Sequence, residues 1–440
     1  MLKPMQNEFN VTRVGKWLGQ QPTFVFVLYA MIAAFSAYAS MYAFRKPFTA
    51  TGYEGISAFT LFGVAFSYKP IAVISQLLGY MSSKFIGIKV ASEATMKRRV
   101  PMVLCLILFA ELMLLGFAIV PAPYNLIFLF LNGLPLGMIW SLLFGVLEGR
   151  KVTEFLALAM SVSIIFSSGI VKSVGVWTME QWGIAEFWMP FVTGLLFVPL
   201  LLISLTMLYQ VPPPSAEDIA NRTERKPMNH VERRKFVRTY FFGVFCLVFG
   251  YLCLMAYRDL RDSFMDLILT DLGHEVDSST FAGIEAKVGF IVFGGMILLW
   301  KVKNHRAAVY ANLGLISLGA FVLGGATILL NYGMLGPKAF YLMNGIGLYI
   351  AFVPYQVMLL ERLLASLHTV ATASFLIALA DSYGYLSTVS LYLSRDLISQ
   401  FMGVEIQWLT MLIVASYVVM TVVPITCLMQ ILYFRPRLKA

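Results

Sequence analysis

The chain has 440 residues, of which 59% are hydrophobic and only 13% are Asp, Glu, Lys or Arg, and its mean hydropathy is +0.78. A water-soluble surface needs about 25% charged residues, so a string of soluble domains is excluded and the exterior must face lipid. The formal net charge of +10 is distributed as a topology signal, which argues against a nucleic-acid-binding surface.

The apolar stretches are continuous and do not alternate with period 2, which selects helices over a barrel. A lipid-spanning helix uses ~20 apolar residues. On that measure the predicted spans are 22–48, 58–86, 101–120, 124–147, 155–178 and 187–210, then 238–265, 280–301, 307–330, 337–360, 370–394 and 408–433. Lys and Arg gather in alternate connections: Lys16 before the first span, Arg98 and Arg99 after the second, Arg150 and Lys151 after the fourth. The series continues through the stretch 222–238, Lys301, Arg306 and Arg362 to Arg435 and Arg437. This bias predicts that both termini are cytoplasmic.

Residues 211–237 form the one long polar interruption. Pro212, Pro213 and Pro214 end the preceding helix, since proline cannot continue it. The expected organisation is therefore a bundle over 1–210, a basic cytoplasmic linker over 211–237 and a second bundle over 238–440. Arg233, Arg234 and Lys235 in the linker read as a topology anchor or as contacts to anionic headgroups.

The two blocks resemble each other. Arg45-Lys-Pro-Phe48 is matched by Arg261-Asp-Ser-Phe264. Asn132-Gly133, with Glu148 and Arg150 downstream, is matched by Asn344-Gly345 with Glu361 and Arg362. Matches at nearly one offset point to duplication. Six helices per copy gives both copies the same orientation, the parallel repeat of the major facilitator architecture. The expected fold is an all-α membrane protein of twelve transmembrane helices in two pseudo-symmetric six-helix bundles.

Ionisable groups inside a span cost roughly 2.5–3.5 kcal/mol each, so they line cavities and take partners. In the first span Tyr38, Tyr42 and Arg45 stand at i, i+4 and i+7 on one face. In the seventh, Arg258 and Asp262 stand at i, i+4 and read as a structural ion pair, which leaves Arg261 as the unpaired cation. Lys69, Lys84 and Lys172 add positive charge. A cavity flanked by Arg45 and Arg261, with Lys84 near, would attract a small anion, because guanidinium forks suit phosphate or carboxylate oxygens. Among the carboxylates, Asp266 and Asp381 read as coupling candidates, with a lysine-paired structural role for Asp381 equally open. Glu148 and Glu361 read as gate or packing residues beside Arg150 and Arg362.

Cys105, Cys246, Cys253 and Cys427 lack metal-ligand spacing, and the four histidines fall in loops or at span ends. No phosphate-binding glycine loop, nucleophile elbow or HExxH motif occurs, so no cofactor, metal or enzymatic activity is expected.

Tyr38-Ala-Ser-Met-Tyr42-Ala-Phe-Arg45-Lys46-Pro-Phe48 resembles the first helix of the organophosphate:inorganic phosphate antiporter branch of the major facilitator superfamily. Tyr80-Met-Ser-Ser-Lys84-Phe-Ile86, Gly133 through Gly137-Met-Ile-Trp140, and Arg261 with Asp266 resemble its second, fourth and seventh helices. The resemblance implies that Arg45 and Arg261 hold the phosphate, with Lys84 assisting and Tyr38, Tyr42 and Trp140 lining the cavity. Where that family carries a histidine in its fifth helix, Phe166 stands here. The expected function is a secondary transporter, monomeric and set in a bacterial cytoplasmic membrane. It would move a small organic anion, a phosphorylated metabolite by this resemblance, by alternating access. A non-transporting sensor of such an anion, or a proton-coupled carrier of carboxylates or neutral solutes, are the competing readings.

Overall fold

The computed structural model describes residues 12–438 apart from 62–63, 94–95, 149, 151, 215–217, 219–229, 301, 303 and 368–372. Most of the basic linker expected over 211–237 thus lies outside the described residues.

A short helix α1 (Arg13–Gly19) is capped by Thr12, whose hydroxyl accepts from Gly15 N at 3.0 Å. There follow α2 (Thr23–Ala43), α3 (Tyr68–Glu93), α4 (Met96–Ile119), α5 (Leu126–Leu147), α6 (Thr153–Trp182) and α7 (Met189–Tyr209). The second half contains α8 (His230–Thr239), α9 (Phe241–Ser263), α10 (Met265–Asp271), α11 (Ser278–Trp300) and α12 (His305–Asn331). It continues with α13 (Pro337–Pro354), α14 (Leu360–Leu367), α15 (Ala373–Met402) and α16 (Trp408–Phe434). Among the described residues, nine helices are long and apolar enough to cross a membrane. Three further segments, α3, α15 and the broken run from α13 to α14, occupy the places of the second, eleventh and tenth predicted spans. The protein is a nearly all-helical integral membrane protein with the major facilitator fold.

Three elements differ from the sequence expectation. The second span does not begin at 58: strands β1 (Ser57–Leu61) and β2 (Val64–Ser67) pair antiparallel there, and the helix starts at Tyr68. Alternating Ser57, Phe59, Leu61 and Val64, Phe66 carry the period-2 signal of a hairpin, which the apolar average conceals. The first span stops at Ala43, and Pro47–Ala50 form a 3-10 turn. The tenth is interrupted after Pro354, where Tyr355–Leu359 form a π segment before α14. Proline removes a donor and crowds the preceding turn, and the wider π turn absorbs the mismatch.

Within the first half, α3 lies along α5 and α2 packs on α6 and α7; within the second, α12 lies along α13 and α9 packs on α15 and α16. The halves meet where α6 crosses α11 and α3 meets α15. Small residues allow these approaches. A methyl on Gly79 would sit 2.0 Å from Phe130 O, and one on Gly133 would sit 2.2 Å from Gln76 O, so α3 and α5 touch backbone to backbone. At the α6–α11 crossing a methyl on Gly169 would lie 2.7 Å from Glu285 Cβ, while Phe166 fills the space over Gly289. Asn132 then ties three helices together: its amide donates to Phe44 O at 3.0 Å and Ala110 O at 2.9 Å, and its carbonyl accepts from Gln76 at 2.8 Å. Its repeat counterpart Asn344 donates to Tyr257 Oη at 2.6 Å.

Because backbone cannot yield as a flexible side chain can, Gly79→Leu or Gly133→Val should destabilise the first bundle by about 1–3 kcal/mol or more. Thermal unfolding of purified protein in detergent measures the effect. Gly294→Ala, at a position with open space around it, is the control expected to leave unfolding unchanged.

Candidate functional site

At the remote end of α2 the chain leaves the helix with Arg45 and Lys46, and the 3-10 turn holds both side chains inward. Arg45 and Lys46 are each 7% exposed. The Arg45 guanidinium lies 4.0 Å from the Tyr80 ring centroid and 5.8 Å from that of Tyr42, a cation held on aromatic faces. Its Nε has no hydrogen-bond partner, and no carboxylate pairs with it among the described residues. Tyr38 packs edge-on against Tyr42 at 5.6 Å and against Trp140 at 5.2 Å, so the tyrosines and Trp140 form one aromatic wall.

Opposite stands α9. A narrow cleft between the halves is lined by Tyr42, Arg45, Lys46, Ile164 and Ser168 from the first half, and by Arg258, Asp259, Asp262 and Tyr349 from the second. It has room for about one water. The sequence placed Arg258 and Asp262 on one face, and both do reach this cleft, but they do not pair. Arg258 turns to its neighbour Asp259, at 2.7 Å, and lies 4.6 Å from the Phe352 centroid. Asp262 is taken by the other half, bonded to Lys46 and to Lys172, the latter at 2.8 Å, with Ser168 donating to it as well. The expected Arg258–Asp262 pair is therefore corrected: two buried lysines compete for the carboxylate more strongly than one arginine that has an adjacent acid.

Arg261 is also corrected. It is fully buried and not unpaired. It donates to Glu285 Oε1 at 2.7 Å and to Tyr341 O at 2.9 Å, with its guanidinium 4.3 Å from the Tyr341 ring. Gly345 makes its room, since a methyl there would lie 2.4 Å from the guanidinium. Three residues from Arg258 on the helix, Arg261 turns back into its own bundle toward α11 and α13. The partner lies on α11, beyond the reach of an i, i+4 search. Arg258 is the second-half arginine that shares the cleft with Arg45.

Lys84, Asp381 and Asp266 also form ties between halves. Lys84 donates to Asp381, which accepts from Tyr251 at 2.5 Å; Gln356, in the π segment, donates to Tyr251 at 3.0 Å. The lysine-paired alternative for Asp381 is the one observed. Asp266 accepts from Lys69 at 2.5 Å on both oxygens. Farther out, Ser67 of β2 donates to Asp396 at 3.1 Å, anchoring the hairpin on α15. Toward the end that carries the termini, Arg150 donates to Val146 O at 2.8 Å and to Pro212 O at 2.5 Å, closing α5 and tying it to the chain after α7. Arg362 stands 3.3 Å from His305. Neither Asp259 nor Tyr349 was visible in the sequence as a cleft residue; the acid at i+1 of Arg258 was the signal for the former.

The chain belongs to a family of unknown function, DUF5690, whose model matches residues 47–437. No curated protein matches it in sequence. Solved structures do match in fold. A peptide transporter in complex with alafosfalin superposes at a TM-score of 0.62 and 14% identity, over 98% of this chain and 100% of that one. A bacterial homologue of the human lysosomal transporter Spinster, inward-facing and unoccupied, gives 0.61 at 14% identity over 94% and 99%. A D-xylose–proton symporter gives 0.54 at 14% over 92% and 98%.

Removing one member of a buried ion pair strands the other charge at a cost of about 3–5 kcal/mol. Arg261→Leu should therefore lower the unfolding temperature sharply, while Arg261→Leu with Glu285→Leu should recover much of the loss. Unfolding of the two single variants and the double variant provides the check.

Proposed function

We propose that the protein is a secondary transporter of small organic anions. Its substrate binds in the cleft where Arg45, Lys46 and Tyr42 face Arg258 and Tyr349. The observation that carries this reading is the Arg45 guanidinium: buried, stacked on two tyrosines, bonded to no carboxylate among the described residues, and placed on the seam between two helix bundles. A guanidinium so placed offers its fork to a phosphate or carboxylate group. Phosphorylated metabolites are favoured by the likeness of the first-span segment to organophosphate carriers, and the three transporters of similar fold support a carrier over a receptor. Tyr38 and Trp140 back the wall, and Arg258 takes the place that the sequence gave to Arg261.

The cleft is closed around about one water, so the substrate enters only when the bundles part. The pairs Lys46–Asp262, Lys69–Asp266 and Lys84–Asp381 each join one bundle to the other. Parting exposes their charges to water, where they cost little, and closing re-forms them. Alternating access then consists of exchanging one set of cross-bundle pairs for solvation while the substrate anion bridges Arg45 and Arg258. Asp266 and Asp381 act here as latch residues. The basic connections favour cytoplasmic termini, and a monomer suffices because one chain supplies both walls. Asp259 and Asp262 in the same cleft favour a second reading, a zwitterionic solute whose ammonium meets a carboxylate.

Counterflow in proteoliposomes, screened over phosphorylated and carboxylated metabolites, tests the proposal. A transporter exchanges labelled solute, whereas a sensor binds without exchange. Arg45→Lys should lower uptake about ten- to hundredfold, the worth of one charge-assisted fork, with unfolding unchanged. Arg258→Lys should do the same. Undiminished uptake in Arg45→Lys would remove the site.

A further inference from the structure

A second groove lies outside the cleft, beside α8 and the start of α9. It has a volume of about 670 Å³ and is lined by Arg233, Arg234, Val237 and Arg238 of α8, by Phe241 and by Phe375 of α15. We propose that it binds an anionic phospholipid, with the phosphate on the α8 arginines and an acyl chain running down α9.

Two independent features meet there. The first is charge: three arginines within six residues of one helix share the groove. Arg233 is held 5.6 Å from the Phe375 ring centroid, and its Nε is buried without a hydrogen-bond partner. Among the described residues no carboxylate bonds to any of the three. Arginine forks match phosphate oxygens, and an anion would satisfy donors that the protein leaves open.

The second is a track for hydrocarbon. Phe241, 63% exposed, lines the groove and begins a ladder that continues one turn at a time through Phe245 and Phe249, all facing outward. Their rings stack at 6.4 and 5.7 Å, with interplanar angles of 22° and 10°. The opposite face of α8 is anchored inward by Phe236, whose ring packs on Tyr240 at 5.0 Å. That anchor fixes which face turns its arginines to the groove. A soluble phosphate would use the arginines and leave the phenyl track idle. A lipid uses both, so lipid is the occupant.

The test titrates purified full-length protein in neutral detergent with phosphatidylglycerol or phosphatidylcholine and follows thermal unfolding. Phosphatidylglycerol should stabilise more than phosphatidylcholine, less so at high salt, and each arginine removed should weaken lipid affinity about fivefold. The triple variant R233Q/R234Q/R238Q should lose the preference for the anionic lipid, while R435Q/R437Q, which removes two other basic residues, should keep it. An unchanged preference in the triple variant overturns the proposal. Equal stabilisation by inorganic phosphate also overturns it and marks a soluble-anion site. Should the triple variant fail to fold, a diazirine-bearing phosphatidylglycerol applied to the wild-type chain decides. Adducts on the peptides carrying Phe241, Phe245, Phe249 or Phe375 support the site, and adducts confined elsewhere overturn it.

Discussion

A charge carried to the depth of a bilayer must find an opposite charge, an aromatic face or water, and most of the buried charges of this protein are placed to meet that requirement. Lys69, Lys172, Arg261, Asp266 and Glu285 are all nearly or completely buried, and each is bonded to a partner. What distinguishes them is where the partner sits. Arg261 and Glu285 are both in the second half, so their pair belongs to the body of a bundle. Lys69, Lys84 and Lys172 reach across to acids of the other half. A seam closed by apolar packing alone would gain nothing from water on opening. One closed by ion pairs has a second, solvated state of comparable energy, as the carrier proposed above would need.

Arg45 stands apart within this scheme. Cation–π contact with Tyr80 and Tyr42 offsets part of its desolvation, yet it leaves the in-plane donors of the guanidinium for something else. Asp262, which lines the same cleft, is held by two lysines and so is kept away from Arg45. Lys46 and Lys172 thus act on the cleft indirectly: they occupy the carboxylate that would otherwise quench the neighbouring arginine.

The architecture was legible because lipid imposes a simple rule on composition, and nine spans survive on hydropathy alone. The hairpin at 57–67 was hidden because its phenylalanines and alanines read as apolar whichever secondary structure they adopt. Arg45 was legible as a buried cation because nothing near it in sequence could neutralise it. The partners of Arg258, Arg261 and Asp262 were not, for one reason. Local spacing describes which residues share a face of a helix; it put Arg258 and Asp262 on one face, but as a structural pair, and it assigned the cleft to Arg261. It says nothing of Lys46, Lys172 or Glu285, which arrive from other helices and change the pairing. Long-range electrostatics decided the site, and its terms are invisible until the bundles are assembled.

The α6–α11 crossing has a mechanical corollary. With Gly169 against Glu285 Cβ and Phe166 seated over Gly289, two helices from opposite bundles interlock at one point with no spare volume. Bodies that tilt against each other need a fulcrum, a place that neither separates nor compresses as the ends swing apart. In the carrier proposed above, a pivot there would hold α6 and α11 in register while the ends of the bundles move apart.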